Sequence, residues 1–297
     1  MLDTTIKKDF LNLFYNDLCD FSLENSNKLN LFTLKVKNNG FAYDELVEEL
    51  GNKLHSFALS RTEVSQLVAE GKFNTLVDKA KNKLRKHSAN EGELGEILLY
   101  CFLESHLNAP KILTKLELKT ANNDYVKGAD GVHLLKLSET DYQLILGESK
   151  LNGDLKKGIY EAFGSLAKLI VNKGKKLDFE IDLVNSQLVK ESVDKNSYET
   201  LKKIIIPSAK DDETYLDYSF GVFLGFDIEI TKEELALSNS DFRNNIRGKV
   251  KKEIEDVISS INFQIKKEEF VGYNFHVFII PFSDLENKRK EIIKDIS

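Results

Sequence analysis

Two short runs, GVHLLKL (131–137) and YQLILGESK (142–150), constrain this chain's fold more than anything else in its sequence. Both carry apolar side chains on both faces: Val132, Leu134, Leu135 and Leu137 in the first, Leu144, Ile145 and Leu146 in the second. A strand with only one covered face alternates apolar and polar residues, whereas one apolar on both faces must be covered on both. The polar segment between the runs reads as a turn. The pair therefore predicts a hairpin inside a sheet with helices above and below. The chain has 297 residues and 41% hydrophobic content, enough to build that cover.

The flanking segments fit such a core. EGELGEILLYCFLESHLN (91–108) has Leu94, Ile97, Leu98 and Phe102 at helical spacing, behind a Ser88–Glu91 capping box and before Pro110. KILTKLELKT (111–120) alternates like a strand, and ANNDYVKG is its turn. After Lys150, a helix buries Ile159, Phe163, Leu166 and Ile170. Residues 178–206 read as helical, with a loop at Pro207 and the acidic run Asp211-Asp212-Glu213. An aromatic strand (216–230), a long charged helical stretch (231–268), a strand (275–281) and a final helix complete the chain. This order predicts an α/β core, a central mixed sheet flanked by helices, over 89–297. Residues 1–88 read as an N-terminal α+β subdomain with a partner-docking role. It has a strand at 30–38 ending in Asn38-Asn39-Gly40, a helix at 41–59, and one or two helices at 61–87. Six basic residues (Lys72, Lys79, Lys81, Lys83, Arg85, Lys86) against the single acid Asp78 make either a solvated face or a phosphate-contacting surface.

Acids at the ends of the central hairpin suggest chemistry. Asp130 opens the first run, and Glu148 and Lys150 close the second. Strand side chains repeat every two residues, so Glu148 and Lys150 share a face. Hydrolysis of a phosphodiester needs a hard divalent ion on one or two carboxylates, an activated water and compensation of negative charge. Asp130 and Glu148 supply the carboxylates and Lys150 the cation, with Mg²⁺ or Mn²⁺ as the implied cofactor. Parity adds a condition. A two-residue turn at Glu139-Thr140 would set Asp130 opposite Ser149, facing away from Glu148, so convergence requires an odd-length loop or a bulge.

The joint pattern of ELGEILLYCFLE, KGADGVHLL and LILGESKL resembles the PD-(D/E)xK nuclease superfamily. More closely it resembles the HamA family, the nuclease subunit of Hachiman anti-phage defence. The resemblance covers residues 88–165 and implies a restriction-endonuclease-like fold for the α/β core. It implies that Asp130 and Glu148 bind metal, that Lys150 is catalytic, and that a helix acid, Glu96 in preference to Glu93, completes the site. The proline that names the superfamily motif is Ala129 here. The resemblance also implies DNA as substrate and a partner, a HamB-like superfamily 2 helicase subunit that holds the nuclease in check. Lys156, Lys157 and Tyr160 open the helix where the family's DNA strand would pass.

Other readings are open at this stage. Glu148 and Lys150 could form an exposed ion pair at a strand end, and Glu93 could simply favour the positive end of its helix. His133 points away from Asp130 by parity and reads as a core residue; His55, His87, His106 and His276 have no ligand spacing. No GxxxxGK[ST] or GxGxxG motif is present, which argues against ATP or dinucleotide binding. A net charge of −6 argues against a nucleic-acid coat protein but not against a nuclease. Cys19 and Cys101, without CxxC partners, fit a reducing, cytoplasmic compartment. No segment approaches the ~20 apolar residues of a membrane span. The rival functions are a free-standing restriction or repair endonuclease and a catalytically silent interaction module.

Overall fold

The computed structural model describes residues 2–85, 92–118, 128–170, 175–192, 194–206, 213–270 and 272–297. A 3-10 segment (Lys8–Leu13) leads into β1 (Phe14–Ser22), β2 (Lys28–Leu34) and the small β3 (Val36–Lys37) and β4 (Gly40–Phe41). Three helices follow, α1 (Tyr43–Ala58), α2 (Arg61–Ala69) and α3 (Phe73–Arg85), then α4 (Glu93–Ser105). β5 (Lys111–Thr114), the single turn α5 (Lys115–Leu118), β6 (Gly131–Lys136) and β7 (Asp141–Leu151) carry the central hairpin. α6 (Leu155–Ile170), α7 (Lys175–Glu191) and α8 (Lys195–Ile205) precede β8 (Tyr215–Asp227). The chain ends with α9 (Lys232–Leu235), α10 (Asn239–Lys267), β9 (Asn274–Phe282) and α11 (Leu285–Ile296).

One mixed sheet of seven strands, in the order β1-β2-β9-β8-β7-β6-β5, organises these elements. The β2–β9, β9–β8 and β8–β7 pairs are parallel, and the flanking pairs on both sides are antiparallel. Tyr142 to Ser149 of β7 are all buried, as two-sided apolar character required. α4 covers one face, with α1 and α11 packed on its outer side, and α6 and α10 cover the other. This double cover buries α4 completely, beyond the single apolar stripe read from its sequence. Phe102 sits at the centre of its contact with the sheet, within 6.1 Å ring-to-ring of Phe223 and 5.5 Å of Phe278.

The sheet runs across the boundary expected at residue 88: β1 and β2 of the N-terminal segment pair onto β9 and share one apolar core with the rest. β1 was not anticipated. Its register shifts between Asn16 and Leu18 and again between Leu18 and Phe21, and Asp20 has φ 47°. Such bulges break alternation and also blunt an exposed sheet edge. Of KILTKLELKT, Lys111–Thr114 form the strand and Lys115–Leu118 turn into α5, while Lys119 and Thr120 lie outside the described residues. Thr114 ends the strand by accepting a hydrogen bond from the Glu117 N–H (3.2 Å), the N-capping contact that starts α5. The Asn38-Asn39 turn behaves as expected, with both residues in the left-handed region. The Ser88–Glu91 capping box, Lys86, His87, the 121–127 part of the ANNDYVKG turn and the loop residues Pro207, Asp211 and Asp212 lie outside the described residues.

A buried ionic cluster ties these layers together. The Glu104 carboxylate of α4 accepts from the backbone N–H groups of Thr5 (2.6 Å), Ile6 (2.8 Å) and Lys111 (2.9 Å). Arg61, at the start of α2, lies 3.4 Å from Glu104 and 3.3 Å from Glu191 at the end of α7. Buried charges persist only when paired and hydrogen-bonded, so this cluster fixes the N-terminus, α2, β5 and α7 against one another.

Candidate active site

The geometry starts from the β6–β7 hairpin. Its register pairs Lys136 with Tyr142 and Gly131 with Gly147. The Leu137 N–H donates to Asp141 O (2.9 Å), leaving Ser138, Glu139 and Thr140 as an odd, three-residue loop. One step past Gly131–Gly147, this register brings Asp130 across from Glu148. The Asp130 N–H donates to Gly147 O (2.8 Å), so the ladder is still engaged there.

Around these positions the charges interlock. Lys150 Nζ lies 2.6 Å from Glu148 Oε1, as side chains two apart on one strand face can. Asp130 Oδ2 accepts from the Ser149 N–H (2.8 Å) and the Ser149 hydroxyl (2.9 Å), taking the place a backbone carbonyl of a longer β6 would have held. Asp130 Oδ1 pairs with Lys115 at 3.3 Å. Burial, reinforced by the charge of Asp130, pushes the Glu148 carboxyl up to about 7, against the pull of Lys150 and a hydrogen bond from Ser165. Burial works against the charge of Lys150 and of Lys115. The nearby carboxylates outweigh it in both, Glu148 foremost for Lys150 and Asp130 for Lys115, so both ammonium pKa values rise.

The two helices approach from opposite faces. Gly147 faces α4 so closely that a Cβ there would lie 2.8 Å from Leu99 Cδ2. By alternation Glu148 and Lys150 face the other way, where Ser165 of α6 meets Glu148. Glu96 is buried in the first turn of α4, the helix on the other face from Ser165. Its link to the site is Lys115, which is held charged by Asp130, Glu96 and Glu148 together. Glu93 is also buried, in the same first turn of α4. Among the described residues no three His, Cys, Asp or Glu groups are clustered for a metal, Asp130, Glu148 and Glu96 included.

Across the chain, the HamA family model matches residues 8–296. The chain belongs to the HamA family. No curated protein matches it. Membership of HamA makes the chain a component of Hachiman anti-phage defence, and the seven-stranded mixed sheet with helices on both faces is the core of this HamA protein. Among the described residues no helix is long and apolar enough to cross a membrane.

Three residues of this HamA chain escaped the sequence reading. Lys115 stands at the start of α5 because Thr114 caps that turn, and Thr114-Lys115-Leu116-Glu117 is itself a capping-box spacing that could have revealed it. Ser165 is hidden in the interior of α6. Glu180 of α7 is buried beside Ala129, whose N–H it accepts, and burial pushes its carboxyl up to about 7. It falls on the apolar stripe Leu177, Val184, Leu188, where an acid is out of place.

Lys156, Lys157 and Tyr160 lie on the exposed first turns of α6. Lys157 is 3.8 Å from Glu161, and Lys267 stands 5.6 Å from the Tyr160 ring centroid. Just before and along the basic helix α3, Lys72 and Lys79 pair with Glu70 and Glu63, while Lys83 donates to Glu117 O (2.8 Å), two residues from Lys115. His133 is a satisfied core residue: its Nδ1 lies 2.8 Å from Ala109 O, and burial holds it neutral with a pKa of about 4.

The donor set at the hairpin end suits a hard divalent ion. Asp130 and Glu148 offer carboxylate oxygens, and the upward shift of Glu148 records negative charge crowded in a dry place, which such an ion relieves.

Proposed function

We propose that this chain is a metal-dependent DNA nuclease, the effector of a two-component defence complex, with a PD-(D/E)xK-type site at the ends of β6 and β7. The observation that carries the reading is the convergence at the hairpin end: an odd loop sets Asp130 across from Glu148, and Lys150 rests on Glu148. Asp130 and Glu148 would hold Mg²⁺ or Mn²⁺. When bound, that ion supplies Lewis acidity and an activated water. Lys150, kept protonated by its carboxylates, donates rather than abstracts: it orients the attacking water and offsets the charge that develops on the phosphorane oxygens. Ser149 and Lys115 hold Asp130 in place. Glu96, on α4, adds to the negative charge that favours the Lys115 ammonium.

DNA would reach the site past Lys156, Lys157 and Tyr160, the exposed start of the helix that backs Glu148. The net charge of −6 and the ion-paired lysines of α3 make for weak DNA binding by the chain alone. That supports substrate delivery and restraint by a helicase partner. The test incubates plasmid with the chain, alone and with that partner, in Mg²⁺ or EDTA, beside Glu148→Ala/Lys150→Ala. Mg²⁺-dependent cleavage lost in the variant is expected; equal cleavage by the variant refutes the assignment.

A further inference from the structure

We propose that Glu180 of α7 is a positioning residue for the metal loop, holding the Gly128–Asp130 turn so that Asp130 faces Glu148. The proposal rests on the metal-site reading above, and it assigns a role to a residue outside the hairpin that carries that reading.

Burial of Glu180 is the first reason. It is 3% exposed, in the same stripe as Leu177, Val184 and Leu188. A carboxylate in such surroundings is costly unless it accepts hydrogen bonds, and Glu180 accepts one from the Ala129 N–H, directly before Asp130. The second reason is Gly128. It has φ 152°, and a Cβ there would lie 2.9 Å from Glu180 Cδ. The turn therefore passes over the carboxylate at a distance that only glycine permits. The third is how the loop is held on its other sides. Asp130 N–H donates to Gly147 O (2.8 Å), and Asp130 O accepts from Lys115 N–H (3.2 Å). Glu180 adds the contact at Ala129, so the backbone around Asp130 is fixed from β7, from α5 and from α7.

α7 can serve as a support because its other end is anchored. Glu191 lies eleven residues on, three helical turns further along the same face. Its carboxylate accepts from Arg61 N–H (3.3 Å) and stands 3.8 Å from Lys111 Nζ. One helix thus rests at one end on the N-terminal helices and at the other on the loop that carries Asp130.

The test uses the full chain with two variants. Glu180→Gln keeps an oxygen to accept from Ala129 N–H and removes the charge. Glu180→Met fills the space and removes the acceptor. Mn²⁺ binding is followed by electron paramagnetic resonance, hydrogen exchange is measured at the Ala129 amide, and thermal melts check that each variant folds. We expect Glu180→Met to weaken Mn²⁺ binding about 10–100-fold, the usual loss when a group supporting a ligand is removed, and to speed Ala129 exchange. Glu180→Gln should retain both properties. Binding as weak in Glu180→Gln as in Glu180→Met would overturn the proposal, since the charge itself would then be what matters. Wild-type affinity and exchange in Glu180→Met would overturn it too. Asp130→Ala separates this from failure of the site: if Mn²⁺ binds Asp130→Ala as it binds wild type, the metal-site reading falls, and the positioning role with it.

Discussion

The Lys115 ammonium is favoured by Asp130, Glu96 and Glu148 alike, and replacing it with Met isolates what its charge contributes. Met keeps most of the aliphatic stem, so packing is largely retained. Lys115 and Asp130 are 3.3 Å apart, with side chains 18% and 9% exposed. At an effective dielectric of about 20 that separation gives roughly 5 kcal/mol of attraction, most of it offset by desolvation of the two ions. The variant leaves Asp130 buried, but the two hydrogen bonds from Ser149 remain to support it. The expected destabilisation is therefore about 1–3 kcal/mol, below the usual cost of stranding a wholly unsupported buried charge. Urea unfolding in EDTA measures it. Repeating the series with Mn²⁺ gives the decisive comparison. Without the Lys115 ammonium, a divalent ion between Asp130 and Glu148 meets less repulsion, binds more tightly and stabilises the variant more than the wild type. The gap between the two proteins should narrow in Mn²⁺. A gap of the same size in EDTA and Mn²⁺, or no destabilisation in EDTA, would refute the reasoning.

Three further outcomes follow from other parts of the molecule. Gly128→Ala forces a Cβ onto Glu180 at a positive φ and should cost about 1–3 kcal/mol in denaturant unfolding. Phe102→Ala removes the aromatic centre of the α4–sheet contact and should cost about 3–5 kcal/mol, checked the same way. Glu148, Glu180 and Glu191 have folded pKa values pushed from 4.5 up to about 7, burial being the largest cause in each. Acids raised in this sense bind more protons in the folded than in the unfolded state, so they make stability fall as pH rises from 4.5 to about 7. Glu191→Gln should flatten part of that fall in melts across this window; an unchanged slope would contradict the assignment.

Much of this architecture could be read from residue patterns because it rests on long apolar segments. β7 and β9, α1 with Leu46, Leu50, Leu54 and Phe57, and α6 with Ile159, Phe163 and Leu166 all follow the periodicity of their elements. Parity allowed Asp130 and Glu148 to share a face only across an odd-length loop or a bulge, and Ser138-Glu139-Thr140 is an odd loop. What escaped was decided by tertiary contacts. β1 hid because two bulges break its alternation. Lys115 hid because Thr114, facing Phe57 O at 2.9 Å, both closes β5 and caps α5. Glu180 hid because Asp178, Phe179 and Asp182 around it make a solvated-looking stretch, although its spacing from Leu177 and Val184 puts it on the buried face. Glu96 was singled out from the sequence, but that α4 and α6 lie on opposite faces of the sheet emerges only in three dimensions.

The central claim is that Asp130 and Glu148 form a divalent-metal site on this chain. Titrating Mn²⁺ into the isolated protein, with free ion read by electron paramagnetic resonance, tests it without any dependence on a partner or on DNA. The wild type should bind Mn²⁺ at one site, and Asp130→Ala and Glu148→Ala should each lose that binding while retaining the wild-type circular dichroism spectrum. Equal Mn²⁺ uptake by wild type and the Asp130→Ala/Glu148→Ala double variant would contradict the account.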